Sequence, residues 1–142
     1  MWQALSKQKY KQTKEMQMKN LAREVREAWE NRDGAVVLGT VNESGTPNII
    51  YATCVGLYKD GRIVVADNYF EKTRKNIQAG SKGSILFITK EKKAYQVKGS
   101  IEYHTEGKIF DFMKSWNPEE HPGHAAASLV PEAVFSGSKK IC

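Results

Sequence analysis

The chain has 142 residues, a formal net charge of +6, 40% hydrophobic residues, 11 Gly and 4 Pro. This is one domain's worth of ordinary folded composition, which excludes collagen-like, low-complexity and disordered classes. No run of about eighteen apolar residues could span a bilayer and no apolar N-terminal stretch reads as a secretory signal, so the expected location is the cytoplasm.

Residues 1–17 are rich in Lys and Gln with little apolar periodicity and are expected to form a basic arm ahead of a domain over 18–142, with Met18 as an alternative start. Leu21, Val25, Ala28 and Trp29 follow helical spacing, and Asn31-Arg32-Asp33-Gly34 supplies the stop, since Gly takes the left-handed cap at little cost. Residues 35–41 are apolar and β-branched, Asn42-Glu43-Ser44-Gly45-Thr46-Pro47 is dense in turn formers, and 48–58 resumes a strand pattern. Lys59-Asp60-Gly61 turns the chain into a strand over 62–67, and a helix opening at Lys72 ends at Gly80. Strands over 83–89 and 94–105 are joined by Lys90-Glu91-Lys92-Lys93. A second amphipathic helix, 107–116, is stopped by Asn117-Pro118, and 126–135 gives a sixth strand-like run interrupted by Pro131. Links this short cannot carry parallel crossovers, so the fold class is mainly β with flanking helices: six antiparallel strands closing into a small barrel.

The segment Ala66-Asp67-Asn68-Tyr69-Phe70-Glu71-Lys72-Thr73-Arg74-Lys75-Asn76-Ile77 carries most of the chemistry, because a strand runs into a basic, hydroxyl-bearing helix start. Unpaired N–H groups at a helix start attract anions, and Lys72 and Thr73 would add a cation and a hydroxyl for a phosphate. Arg74 and Lys75 point about a hundred degrees apart on the helix and are read as solvated charges.

In the order of its elements, and in Gly34-Ala35-Val36-Val37-Leu38-Gly39-Thr40, the 42–47 turn, Ile50-Tyr51-Ala52-Thr53-Cys54-Val55 and Lys72-Thr73-Arg74-Lys75-Asn76-Ile77, the chain resembles the pyridoxamine 5'-phosphate oxidase-like FMN-binding split-barrel family, over roughly residues 21–140. The resemblance implies a homodimeric split barrel with FMN at the subunit interface. Main-chain groups of Tyr51, Ala52, Thr53, Cys54 and Val55 would hold the ring edge, Ala66 and Asp67 would add contacts, and Lys72 and Thr73 would hold the phosphate. It also implies a flavin-dependent oxidoreductase or electron carrier acting on a small substrate or redox partner. The family's Arg- and His-bearing substrate segment is missing from the closing Ser136-Gly137-Ser138-Lys139-Lys140-Ile141-Cys142, so oxidation of pyridoxamine phosphate is not expected. Relatives of the fold accept deazaflavin or haem, which keeps both open as alternative ligands.

A rival from another class is a basic nucleic-acid module stacking bases on Tyr51, Tyr58, Tyr69 and Tyr95. His121 and His124 sit near Glu119 and Glu120 without a third strong ligand, so no metal site is expected; a loop over the flavin edge, with one histidine handling a proton, is the better reading. Trp116 is read as a barrel plug, or by resemblance as an aromatic against the ring or the partner subunit. Cys54 and Cys142 are too far apart in sequence to suggest a metal-ligand spacing and are expected to be free thiols.

Overall fold

The structure, a computed structural model, describes residues 23–142; the expected arm over 1–17 and Leu21 lie outside the described residues. Helix α1, whose described part is 23–30, buries Val25, Ala28 and Trp29, the three positions its spacing selects. The Asn31 N–H donates to the carbonyls of Glu27 and Ala28, and Gly34 at φ +77° redirects the chain into β1 (Val36–Val41). Asn42 Oδ1 then accepts from the N–H groups of Ser44 and Thr46, folding the turn that returns the chain as β2 (Pro47–Ala52).

Next come β3 (Val55–Leu57), β4 (Ile63–Asp67), α2 (Lys72–Gln78), β5 (Lys82–Ile88), β6 (Ala94–His104), α3 (Lys108–Trp116), β7 (Ala125–Ser136) and β8 (Lys139–Lys140). All pairings are antiparallel, in the order β2-β1-β5-β6-β7-β4-β3, with β8 beside β7. β2 and β3 occupy opposite ends of this order although only Thr53 and Cys54 separate them in the chain. The three steps from Ala52 to Val55 span at most about 11 Å, so the sheet must roll until its two ends come close. No ladder joins β2 to β3, and the result is a split barrel.

Eight strands stand where six were expected, for two reasons. The run 48–58 breaks at Thr53-Cys54 where the chain passes from one sheet end to the other, and the tail adds the two-residue β8. Pro131 does not interrupt the last long strand, because a register shift at Lys98/Gly99 makes a bulge there, and a residue without an N–H is tolerated at a bulge.

β4 is buried along its whole length and separates two apolar clusters. Ile63 and Val65 face the barrel interior with Trp29, Val36, Leu38, Ile85, Phe87, Val97 and Leu129. Val64 and Ala66 face outward onto α3, against Ile109 and Met113. Trp116 belongs to this outer cluster, where its indole would lie 2.9 Å from a Cβ added at Gly56. It therefore does not plug the barrel: α3 lies outside the wall, and the glycine makes room for the indole.

The β6–β7 bulge depends on a second glycine. A Cβ at Gly99 would sit 1.8 Å from the Val130 carbonyl oxygen, a backbone atom that cannot swing away. Gly99→Ala is expected to cost at least about 2 kcal/mol and to lower the thermal midpoint by roughly 6 °C or more. Calorimetry of the two proteins checks this; an unchanged midpoint would show that the bulge relaxes freely.

Candidate functional site

The candidate site forms where β4 ends. Asp67 is fully buried, and its carboxylate accepts from Arg74 Nε at 2.7 Å, Arg74 Nη2 at 2.9 Å, the Tyr103 hydroxyl at 2.5 Å and the Phe70 N–H at 3.0 Å. Burial alone would raise its pKa, but the hydrogen bonds from Arg74, Tyr103 and Phe70 outweigh burial and hold the carboxyl below its usual range. The same bond raises the Arg74 pKa, and burial followed by the carboxylate pushes the Tyr103 phenol up. The Asp67 carbonyl accepts from the His124 N–H at 2.9 Å. One residue thus ties β4 to α2, β6 and the loop after α3. Arg74 is not the solvated charge its sequence position suggested.

Asn68 extends this joint. Its side chain and that of Asn117 exchange reciprocal amide hydrogen bonds of 3.0 Å, and Asn68 Oδ1 accepts from the Gly123 N–H at 2.9 Å. The 117–124 loop is thereby fixed against the 67–70 segment.

Two open cavities follow β2. The first, about 240 Å³, is lined by Ile50, Tyr51, Ala52, Thr53 and Cys54 on one side and by Ala66, Asn68, Tyr69, Phe70 and His121 on the other. The second, about 610 Å³, lies between the 42–48 turn and α2, where Lys72, Lys75, Asn48 and Asn76 surround it and Glu43 is the one carboxylate. β2 runs past both cavities, and so does the chain from Ala66 to Lys75.

Of the residues expected at the site, Tyr51, Ala52, Thr53, Cys54 and Ala66 meet in the first cavity and Lys72 lines the second. Thr73 is buried behind it, its hydroxyl accepting from Asn48 Nδ2 at 3.1 Å. Val55 lies on β3 and packs toward the barrel core, and the Asp67 side chain is occupied by its own network. Lys75 is exposed, as a solvated charge would be, and lines the open second cavity beside Lys72. With seven residues, α2 is too short for a strong macrodipole, so the lysines and amides supply most of the positive potential.

Sequence reasoning did not find Asn48, Asn76, Asn68 and Tyr69 as lining residues; the pairing of Tyr69 with His121, whose Nδ1 lies 3.0 Å from the Tyr69 hydroxyl, had no local signal, since 52 positions separate the two. His124 is exposed, and no group of three metal-ligating side chains occurs among the described residues. The tyrosines expected to stack bases do not share a surface: Tyr95 is buried against Phe87, Tyr58 packs edge-on to Phe112, and only Tyr51 and Tyr69 are widely exposed. Among the described residues no helix is long and apolar enough to cross a membrane.

Fold and cavities together define a split-barrel protein with a cleft beside an edge strand. The family model for pyridoxamine 5'-phosphate oxidase matches residues 21–136, and the chain belongs to that family. It is 27% identical over 103 residues to an uncharacterized protein of Methanocaldococcus jannaschii, covering 68% of this chain and 69% of the relative. Among solved structures it is similar to HupZ of Group A Streptococcus, with 26% identity, 80% of this chain and 91% of HupZ covered, and a TM-score of 0.69. An FMN-binding protein of Syntrophomonas wolfei shares the fold at 20% identity, with 94% of this chain and 97% of that one covered and a TM-score of 0.69.

The Asp67 joint has a pH signature. A carboxyl with a lowered folded pKa contributes stability that is fully present above its unfolded value, about 3.9, and is lost as pH falls through the lowered folded value. Asp67→Asn is expected to cost roughly 2 kcal/mol near neutral pH and to flatten the loss of stability below about pH 4. Urea unfolding across this range checks both; a variant with the wild-type acid slope would contradict the assignment.

Proposed function

We propose that this protein binds FMN noncovalently along the two cavities beside β2 and acts as a flavin-dependent oxidoreductase or electron carrier. The observation that carries the reading is the alignment of an edge strand with a paired-lysine cavity. β2 pairs only with β1, so half of its main-chain N–H and C=O groups lack ladder partners and can meet the polar edge of a ring, as expected for Tyr51 and Ala52; Thr53 and Cys54 follow in the link, where the Cys54 carbonyl already accepts from the Ala66 N–H, and Val55 pairs with Val65 on β4. Farther along the strand, Lys72 and Lys75 with the amides of Asn48 and Asn76 suit a phosphate monoester, which carries close to two negative charges near neutral pH. Ala66 would touch the ring, Thr73 would orient Asn48 toward the phosphate, and Asp67 would act through Arg74. The chain's family membership and the name of its S. wolfei structural neighbour support this choice of ligand.

When bound, FMN supplies one- or two-electron redox chemistry; the protein's part is to orient it and tune its environment.

The working unit is proposed to be a homodimer. Val41, Ile49, Tyr51 and Leu86 are all exposed, Ile49 at 72% and Tyr51 at 80%, and the register of β1, β2 and β5 puts them on one face. Such a row of large apolar side chains suits burial by a second copy. Because Tyr51 also lines the first cavity, the partner would help close the cleft. Ile49→Arg is expected to give a monomer with weakened FMN affinity, which light scattering and flavin fluorescence would read; a monomeric wild type holding FMN tightly at low micromolar concentration would overturn the shared site.

The phosphate assignment is tested by titrating wild type and Lys72→Ala with FMN and with riboflavin. One charged hydrogen bond contributes roughly 1.5–3 kcal/mol, so FMN should weaken about ten- to hundredfold while riboflavin, lacking the phosphate, changes little. Lys75→Ala should behave alike. Equal losses for both flavins, or none, would place the phosphate elsewhere.

A further inference from the structure

We propose that Tyr69 and His121 form a proton-transfer pair in the first cavity, His121 being the acid that protonates a planar conjugated carbonyl substrate such as a quinone. The proposal rests on the FMN reading above.

Both side chains line the cavity that holds Tyr51, Thr53, Cys54 and Ala66. Their rings meet edge to face at 5.6 Å with an 89° interplanar angle, and the Tyr69 hydroxyl lies 3.0 Å from His121 Nδ1. The backbone around the histidine is pinned without using its ring. The His121 N–H donates to the Pro118 carbonyl at 3.0 Å, Gly123 is bound to Asn68, His124 to Asp67, and Lys114 Nζ to the Pro122 carbonyl. Tyr69 is therefore the ring's one hydrogen-bond partner, and Nε2 is left without a protein partner among the described residues. The charged residues beside it are Glu119 and Glu120 in the same loop and Lys114 on α3, whose Nζ reaches the Pro122 carbonyl, and among the described residues its imidazole makes no ion pair.

The choice of partner matters chemically. A carboxylate would trap the imidazole in its charged form, whereas a tyrosine hydroxyl is neutral. When Nε2 gives up its proton the neutral ring keeps the hydrogen on Nδ1, so the Tyr69 oxygen accepts from Nδ1–H before and after the transfer. The ring thus keeps its orientation while Nε2 gains and loses its proton, which a general acid in repeated turnover requires. His121 is then the catalytic residue and Tyr69 a positioning residue.

If FMN is bound and reduced, it would supply a hydride, two electrons and one proton, to one quinone oxygen and be left oxidised, while His121 Nε2 would give its proton to the other oxygen and regain one from solvent. Both C=O π bonds would become C–O–H as the ring turns aromatic.

The test uses FMN-loaded wild type, His121→Gln and Tyr69→Phe, photoreduced anaerobically and mixed with menadione, with flavin reoxidation followed across pH and the His121 Cε1–H titrated by NMR in wild type and Tyr69→Phe. We expect His121→Gln to slow the reaction about a hundredfold and to remove the acid-favoured limb of its pH profile, while FMN affinity stays within about twofold of wild type. In wild type the kinetic midpoint should match the His121 NMR midpoint, and Tyr69→Phe should move both together. A His121→Gln protein that reduces menadione at the wild-type rate, midpoints that disagree, or an NMR titration indifferent to Tyr69→Phe would each overturn the pair. A wild type that takes up no FMN overturns both readings; one that binds FMN normally yet ignores His121→Gln overturns this one alone.

Discussion

The Asp67 carboxylate organises the molecule's functional side. It is fully buried and accepts from Arg74, Tyr103 and the Phe70 N–H, and each of those bonds fixes a different element relative to the end of β4. A buried charge is tolerable only when paired and hydrogen-bonded, and leaving one such partner unmet costs more than the bond contributes. The network is therefore close to all-or-none. It sets where α2 presents Lys72 and Lys75, and through Asn68 and the Asp67 carbonyl it sets where the loop presents His121. The proposed ligand contacts are made by other residues; Asp67 makes their arrangement reproducible.

The second constraint is the two-residue step from β2 to β3. It forces the sheet to roll, and because no ladder closes the seam it leaves β2 as an edge. Exposed edges are a liability in solution. Here the edge lies beside both cavities, and its outward face carries Ile49 and Tyr51, so one feature would serve two ends: unpaired main-chain groups for a flat ligand and an apolar row for a second copy. On the proposed reading, cofactor binding and assembly are coupled because they use opposite aspects of a single strand.

Much of this was legible in the sequence because it is local. The period of Val25, Ala28 and Trp29, the Asn42 turn, the glycine stops at Gly34 and Gly80 and the Asn117-Pro118 stop all depend on neighbours within a few residues, and all lie where expected. What was hidden depends on distant partners. Arg74 looks solvated until Asp67 and Tyr103 are brought to it; Trp116 looks like a barrel plug until Gly56 opens the outer wall; Tyr95 looks available for stacking until Phe87 covers it. The break at Thr53-Cys54 had no local marker, because those two residues fit a strand and only sheet closure makes them a corner. Of the residues expected to share a site, Tyr51, Ala52, Thr53, Cys54 and Ala66 line one cavity, whereas the pairing of Tyr69 with His121 could be seen only in the folded chain.

On the proposed reading one seam, running from Thr53 past Asn48 to Lys75, holds a flavin ring and its phosphate in that order. A crystal structure of the protein grown with FMN would test this. The phosphate is expected among Lys72, Lys75, Asn48 and Asn76, with the ring edge on the main chain of 51–55 and Ala66. Flavin bound with its phosphate remote from both lysines, or in a cavity that β2 does not line, would contradict it.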